Sequence, residues 1–172
     1  YDFFNNIQIL TPTKKGMLGT KELNAYLQKA LNPEDKYKGE KHTNGAIYRV
    51  GDRIMQVKNN YDITWERDIS SKLNNVKNVI GDEIADEKNK TRLKKEFDIW
   101  DEDEIEYGTG VFNGEIGTIS AIDEREKSVT IKFDDEKVAT YAYTDLEQIE
   151  HSYAITIHKA QGSEFDVVIM CV

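Results

Sequence analysis

The sequence is poor in cross-linking and metal-binding residues: one cysteine (Cys171) and three histidines in 172 residues. A single thiol excludes an intrachain disulfide. His42, His151 and His158 stand at no metal-ligand spacing, so no structural zinc is expected. No apolar run approaches the roughly 20 residues of a membrane span. The opening YDFFNNIQIL lacks the basic, apolar, small-residue order of a signal peptide, and a cytoplasmic protein without membrane contact is expected. The phosphate-loop pattern G-x-x-x-x-G-K-[ST] is also missing. Basic charge is scarce too: the net charge is −9, which taken alone argues against a nucleic-acid binder, because phosphate contacts need cations.

What is present is a globular composition, 38% hydrophobic and 32% charged, long enough for one domain or one domain with a smaller insertion. The charge is unevenly placed. Residues 1–60 hold 10 Lys and Arg against 6 Asp and Glu, residues 61–110 hold 8 against 14, and residues 111–172 hold 5 against 12. The chain opens on Tyr1 and stops inside strand-like VVIMCV, as expected of a segment cut from a longer protein.

Ile7-Gln8-Ile9-Leu10, ended by Thr11-Pro12, reads as a buried strand. Thr20 is the expected N-cap of a helix whose Leu23, Tyr26, Leu27, Ala30 and Leu31 share a face, stopped at Asn32-Pro33. Residues 34–45 are polar, and AIYRVGDRIMQV gives a β region broken at Gly51-Asp52. Trp65, Ile69, Leu73, Val76 and Ile80 are spaced 4, 4, 3 and 4, which predicts a helix, with a weaker helical pattern through Leu93, Phe97 and Trp100. From 111 onward EIGTISAI, SVTIKF and KVATYAY read as three short antiparallel strands of a small barrel.

Two loops carry candidate chemistry. TPTKKGMLGTKEL brings Gly16, Gly19 and Lys21 near a helix start, where free N–H groups favour anions. Its glycines serve a tight turn, or Lys14 or Lys15 points at a phosphate. In YAITIHKAQGSEFDVVIM, alternation predicts Ile155 and Ile157 buried, with Thr156 and His158 on the opposite face. Thr156, His158 and nearby amides are suitable donors for a phosphodiester, while Gln161, Ser163 and Glu164 can serve a ribose or phosphate network, and Gly162 permits an unusual backbone. Read by composition alone, His158 caps a strand and Glu164 is a surface charge.

HKAQGSEFDVVIM resembles motif V of superfamily 1 helicases, and YAITIHKAQGSEF is especially close to the RecD-like branch around the alpha chain of exodeoxyribonuclease V. In the same order, ILTPTKKGMLGTKELNAYLQKALNP resembles the motif IV region, and RVGDRIMQVKNNYD followed by VFNGEIGTI resembles the stretch leading into that family's SH3-like insertion. About 120 of the 172 residues are covered. The resemblance implies an α/β fold: a partial RecA-like second motor domain at 1–60 and 150–172, an acidic helical insertion at 61–110, and an SH3-like β subdomain at 111–149.

It further implies a fragment of an ATP-dependent DNA helicase or translocase of recombination and repair, moving 5′ to 3′, with ATP and Mg²⁺ used by the parent protein and neither bound by the fragment. Carried onto matching positions, Thr156, His158, Lys159, Asn59 and Asn60 contact single-stranded DNA. Lys15, Gln161, Gly162, Ser163 and Glu164 face the nucleotide. The implied partners are single-stranded DNA and the first RecA-like domain of the same parent; the acidic stretch 61–110 is a solvated extension or docks a protein partner. Two other readings compete: an SH3-like interaction module using Phe133, Tyr141 and Tyr143, and a nuclease using Asp123, Asp135 and Lys137.

Overall fold

The computed structural model describes residues 6–43, 45–70 and 105–171. The chain divides into two compact units, residues 1–65 with 109–172, and residues 66–108. In the second unit the described residues are the strand ends 66–68 and 105–108 with Ile69 and Ser70, and Arg67 pairs with Glu106 at 2.6 Å.

The first unit is mixed α/β. Strand β1 (Ile7–Thr11) is the middle of a three-stranded parallel sheet. It pairs with β11 (Ala154–Thr156) through Ile9 to Thr11, and with β12 (Val167–Met170) through Ile7 to Leu10. Helix α1 (Thr20–Leu31) follows β1. Its N-cap is Gly19, with Thr20 the first helical residue, which corrects the expected cap by one position. Leu23, Leu27 and Leu31 are half-buried, but Tyr26 and Ala30 are exposed, and the most buried residue of the helix is Asn24. Asn24 Nδ2 donates to the Ala154 carbonyl at 2.9 Å, and its Oδ1 accepts from the Ala154 N–H at 2.8 Å. A polar side chain thus fixes the helix to β11, because it satisfies backbone groups that the sheet leaves open there.

The second sheet has the order β10-β4-β7-β8-β9-β5-β6. Its members are β4 (Arg53–Gln56), β5 (Asn60–Asp68), β6 (Ile105–Val111), β7 (Ile116–Asp123), β8 (Ser128–Phe133), β9 (Val138–Ala142) and β10 (Ile149–His151). The three strands expected after residue 111 are β7, β8 and β9, joined by antiparallel registers. The sheet also takes in strands on either side of 111–149. It curls enough that Tyr141 Oη on β9 donates to Gln56 Oε1 on β4 at 3.0 Å, across two intervening strands. Inside lie Ile54, Ile63, Val111, Ile119, Val129, Ile131, Phe133, Tyr141, Leu146 and Ile149. These inward residues recur at alternate positions along β8 and β9, as a sheet with one buried face requires.

The helical expectation fails over 61–68, which is β5. Ile63, Trp65 and Arg67 are its inward positions, and this period of two competed in the sequence with the helical spacing that begins at Trp65. The remainder of that expectation, from Leu73 through Trp100, lies outside the described residues. A short strand at 40–43 was also missed: β2 (Glu40–Thr43) forms a hairpin with β3 (Ala46–Arg49).

Strand β4 joins the two halves of the unit. Ile54 points into the curled sheet's core, while its neighbour Met55 packs with Leu10, Ile116 and Ile155 against the parallel sheet. Successive side chains of one strand therefore serve two cores.

Candidate nucleic-acid interface

A cleft of about 730 Å³ opens between the loop before α1, the β2–β3 hairpin and the β10–β11 segment. Lys14, Lys15, Lys21 and Lys159 line it, against Glu147 and Glu150. The loop is built by backbone closure. Gly19 N–H donates to the Gly16 carbonyl at 2.8 Å, Thr20 N–H to Thr13 at 3.1 Å, and Thr11 Oγ1 to the Leu18 carbonyl at 2.5 Å. A Cβ on Gly19 would lie 2.6 Å from the Lys15 carbonyl carbon and 2.7 Å from that of Lys14, so only glycine allows this fold-back. The result is two lysines from the loop, Lys14 and Lys15, and one from the first turn of α1, Lys21, beside one opening.

Thr156 is the last residue of β11 and 7% exposed, with its Oγ1 accepting from the Lys159 N–H at 3.4 Å. It lines the cleft. Ile157, expected inside, is 38% exposed. The strand ends one residue earlier than alternation assumed, and the chain enters a turn, so the buried pair is Ile155 and Thr156. His158 is exposed on that turn and does not line the cleft; Lys159 does, with Nζ 2.8 Å from Glu150. Burial favours the neutral form of Glu150, but the hydrogen bond and charge of Lys159, with the charge of Lys14, hold its carboxyl below the usual range.

Lys15 lines the cleft, whereas Gln161, Gly162, Ser163 and Glu164 form an exposed turn outside it, with Gly162 at φ +86°. Of the five residues implied for the nucleotide, Lys15 thus lines this cleft and the other four lie outside it. Asn59 lies on the β4–β5 connection and Asn60 is the first residue of β5. Asn60 Nδ2 donates to Gln148 Oε1 at 2.9 Å and its Oδ1 accepts from Asp62 N–H at 2.9 Å, while Asn59 Oδ1 accepts from Asn113 N–H at 2.9 Å.

Sequence reasoning missed the network behind the cleft. Asp52 is fully buried and accepts from five donors: Asn32 Nδ2 (2.7 Å), Tyr153 Oη (2.9 Å), Gln28 Nε2 (2.6 Å), Arg49 N–H (2.8 Å) and His151 Nε2 (3.1 Å). Burial acts to raise its pKa, but the His151 hydrogen bond and charge, with the bonds from Asn32 and Tyr153, outweigh this and hold it below the usual value. The His151 ring stacks on Tyr48 with centroids 4.8 Å apart. Burial, with Glu150 and Asp52 nearby, pushes the Tyr48 phenol up to about 12. The only trace of this hub in the sequence is an aspartate after Gly51 between two apolar runs, which a turn explains equally well.

The competing residue sets are used elsewhere. Asp123 Oδ1 accepts from Arg125 and Glu126 N–H at 2.8 and 3.0 Å, and Asp135 caps the β8–β9 turn through the Lys137 N–H. Phe133 and Tyr141 are buried in the core, which removes them from any exposed aromatic groove.

A family model described as the ATP-dependent RecD-like DNA helicase SH3 domain matches residues 23–133, and one described as the UvrD-like helicase C-terminal domain matches residues 151–172. The chain is 32% identical to an uncharacterized protein of Methanocaldococcus jannaschii over 181 aligned residues, covering 99% of the chain and 12% of the relative. It is 27% identical to the ATP-dependent RecD2 DNA helicase of Deinococcus radiodurans, covering 95% of the chain and 16% of that protein. The chain therefore spans less than a fifth of the length of these curated relatives. Among solved structures it resembles the Pif1 helicase from Bacteroides in complex with ADP-AlF3 and ssDNA, with a TM-score of 0.48 and 14% identity over 100% of the chain and 35% of that structure.

Proposed function

Because the chain belongs to the family of the ATP-dependent RecD-like DNA helicase SH3 domain, we propose that it is the strand-gripping part of an ATP-dependent DNA helicase and holds single-stranded DNA along the cleft. One observation carries this reading: four lysines converge on a single cleft in a chain whose net charge is −9. Of the two glutamates there, Glu150 pairs with Lys159 and Glu147 with Lys58 at 2.7 Å. Lys14, Lys15 and Lys21 remain as the cationic edge. Ammonium groups and a threonine hydroxyl recognise a sugar-phosphate backbone without reading its sequence, which suits a protein that must move along any strand.

Hydrolysis is not assigned to this chain. Its sequence carries no phosphate loop, and charge-stabilising groups around a metal-bound triphosphate come from more than one part of such motors. In this reading ATP and Mg²⁺ belong to the parent protein, whose first RecA-like domain completes the nucleotide cleft. The turn 161–164 begins two residues beyond the cleft's Lys159, so a displacement of that turn is transmitted directly to the DNA side.

The test is fluorescence anisotropy of a labelled oligothymidylate as salt is raised. Lys14→Glu with Lys21→Glu, both at exposed positions, is expected to weaken binding at least tenfold. The salt slope should fall by about 0.7 per lost phosphate contact. Unchanged affinity and slope would overturn the reading.

A further inference from the structure

Among the described residues of the curled sheet and its connections, Tyr61, Tyr107 and Phe112 are exposed aromatics, and two of them sit together. Tyr61, on β5, is 67% exposed and Phe112, just after β6, is 41% exposed; their rings meet edge to face with centroids 5.7 Å apart. The pair is built rather than incidental. Phe112 lies over Gly110, where the backbone has φ +94° and a Cβ would come within 3.0 Å of Phe112 Cζ, so the glycine makes room for the ring. Asn59 ties the two loops together, with Nδ2 donating to Tyr61 Oη at 3.4 Å and Oδ1 accepting from Asn113 N–H.

Its neighbours connect the pair to the cleft. Glu147 lines the cleft and pairs with Lys58, which precedes Asn59; Gln148, next in the chain, accepts from Asn60. These contacts link the lysine-lined opening, through Lys58, Asn59 and Asn60, to the two rings. Lysines for phosphate at the cleft and exposed rings for base faces beyond it are the chemistry of a single-stranded nucleic acid.

We propose that Tyr61 and Phe112 form a base-stacking platform on which the single strand rests after leaving the cleft. This rests on the cleft reading above and adds to it a contact that recognises the base rather than the phosphate. An exposed ring pair is sequence-tolerant, since every base presents a π face.

Oligothymidylates carrying one 2-aminopurine, placed at successive positions, give the readout on the 172-residue chain. At one position the wild-type protein is expected to quench the fluorophore. Tyr61→Ala with Phe112→Ala should abolish that quenching and weaken binding about tenfold, while Tyr61→Phe, which keeps the ring, restores it. An oligonucleotide with abasic sites at the stacked position should bind wild type and the double variant equally. Binding lost on Lys14→Glu with Lys21→Glu, but indifferent to the ring substitutions, overturns the platform and leaves the cleft standing. Loss of both effects overturns the cleft reading as well. A proline-rich peptide that perturbs the two rings, with DNA leaving them unperturbed, overturns the platform in favour of peptide docking.

Discussion

The curled sheet and the parallel sheet share strand β4 as a boundary but differ in how they treat their apolar residues. Around β7, β8 and β9 the inward side chains Val129, Ile131 and Tyr141 are completely enclosed. On β12, by contrast, Val168, Ile169 and Met170 all remain substantially exposed, although their backbones pair with β1. Parallel strands normally carry apolar residues on both sides because helices cover both faces. The described residues supply one such helix, α1, and it is attached to β11 through the amide of Asn24 as much as through its half-buried leucines. Among the described residues the larger apolar core therefore lies in the curled sheet, while the parallel sheet, with its smaller core around Leu10, Met55, Ile116 and Ile155, presents two loops: the lysine-bearing loop after β1 and the turn after β11.

The sharpest way to break that contrast is truncation on each side of it. Phe133→Ala should cost about 3–5 kcal/mol of unfolding free energy, whereas Met170→Ala should stay within about 0.5 kcal/mol, both measured by urea denaturation. Equal losses would show that the two sheets form one core.

Asp52 tests the seam. It ties α1 through Gln28 and Asn32, β3 through Arg49, and the β10–β11 segment through His151 and Tyr153. Asp52→Asn replaces one acceptor oxygen with an amide NH2 facing donors that then lose their acceptor, at an expected cost of about 2–3 kcal/mol. A pH series adds a second readout. The folded carboxyl lies below the ordinary aspartate value, so its contribution is fully present above that ordinary value and is lost as pH falls through the lower folded value. The wild type should lose stability in that acid window, and the variant should lose less of it.

The smallest effect concerns a turn of the curled sheet. Lys127 occupies the left-handed region at φ +51° between β7 and β8. Lys127→Gly should raise stability by up to about 1 kcal/mol, seen as a higher unfolding midpoint with DNA affinity unchanged.

Much of this architecture could be read from local pattern. Strands β7, β8 and β9 announce themselves through β-branched residues, alternation and polar turns, because each faces one core with one side, whereas β1 and β4, buried on both sides, read as short apolar runs. The family resemblance reached the lysine loop and the turn at 156–164 for the same reason, since both are contiguous in sequence. The misreading of 61–68 has an equally local origin. Its spacing fits two periods, and pairing in the sheet next to β9 selected the strand.

The sequence by itself determined which segments are strands, where the glycine-bearing turns fall and that basic charge gathers in the first 60 residues. Only the tertiary structure decided that Lys14, Lys15 and Lys21 share a cleft with Lys159, more than 130 positions away. It likewise decided that Asp52 gathers five donors, and that Tyr61 meets Phe112 across some 50 residues of chain. Periodicity records which side of an element is buried. It carries no information on which distant element lies against that side, and clefts and polar hubs arise only from that pairing.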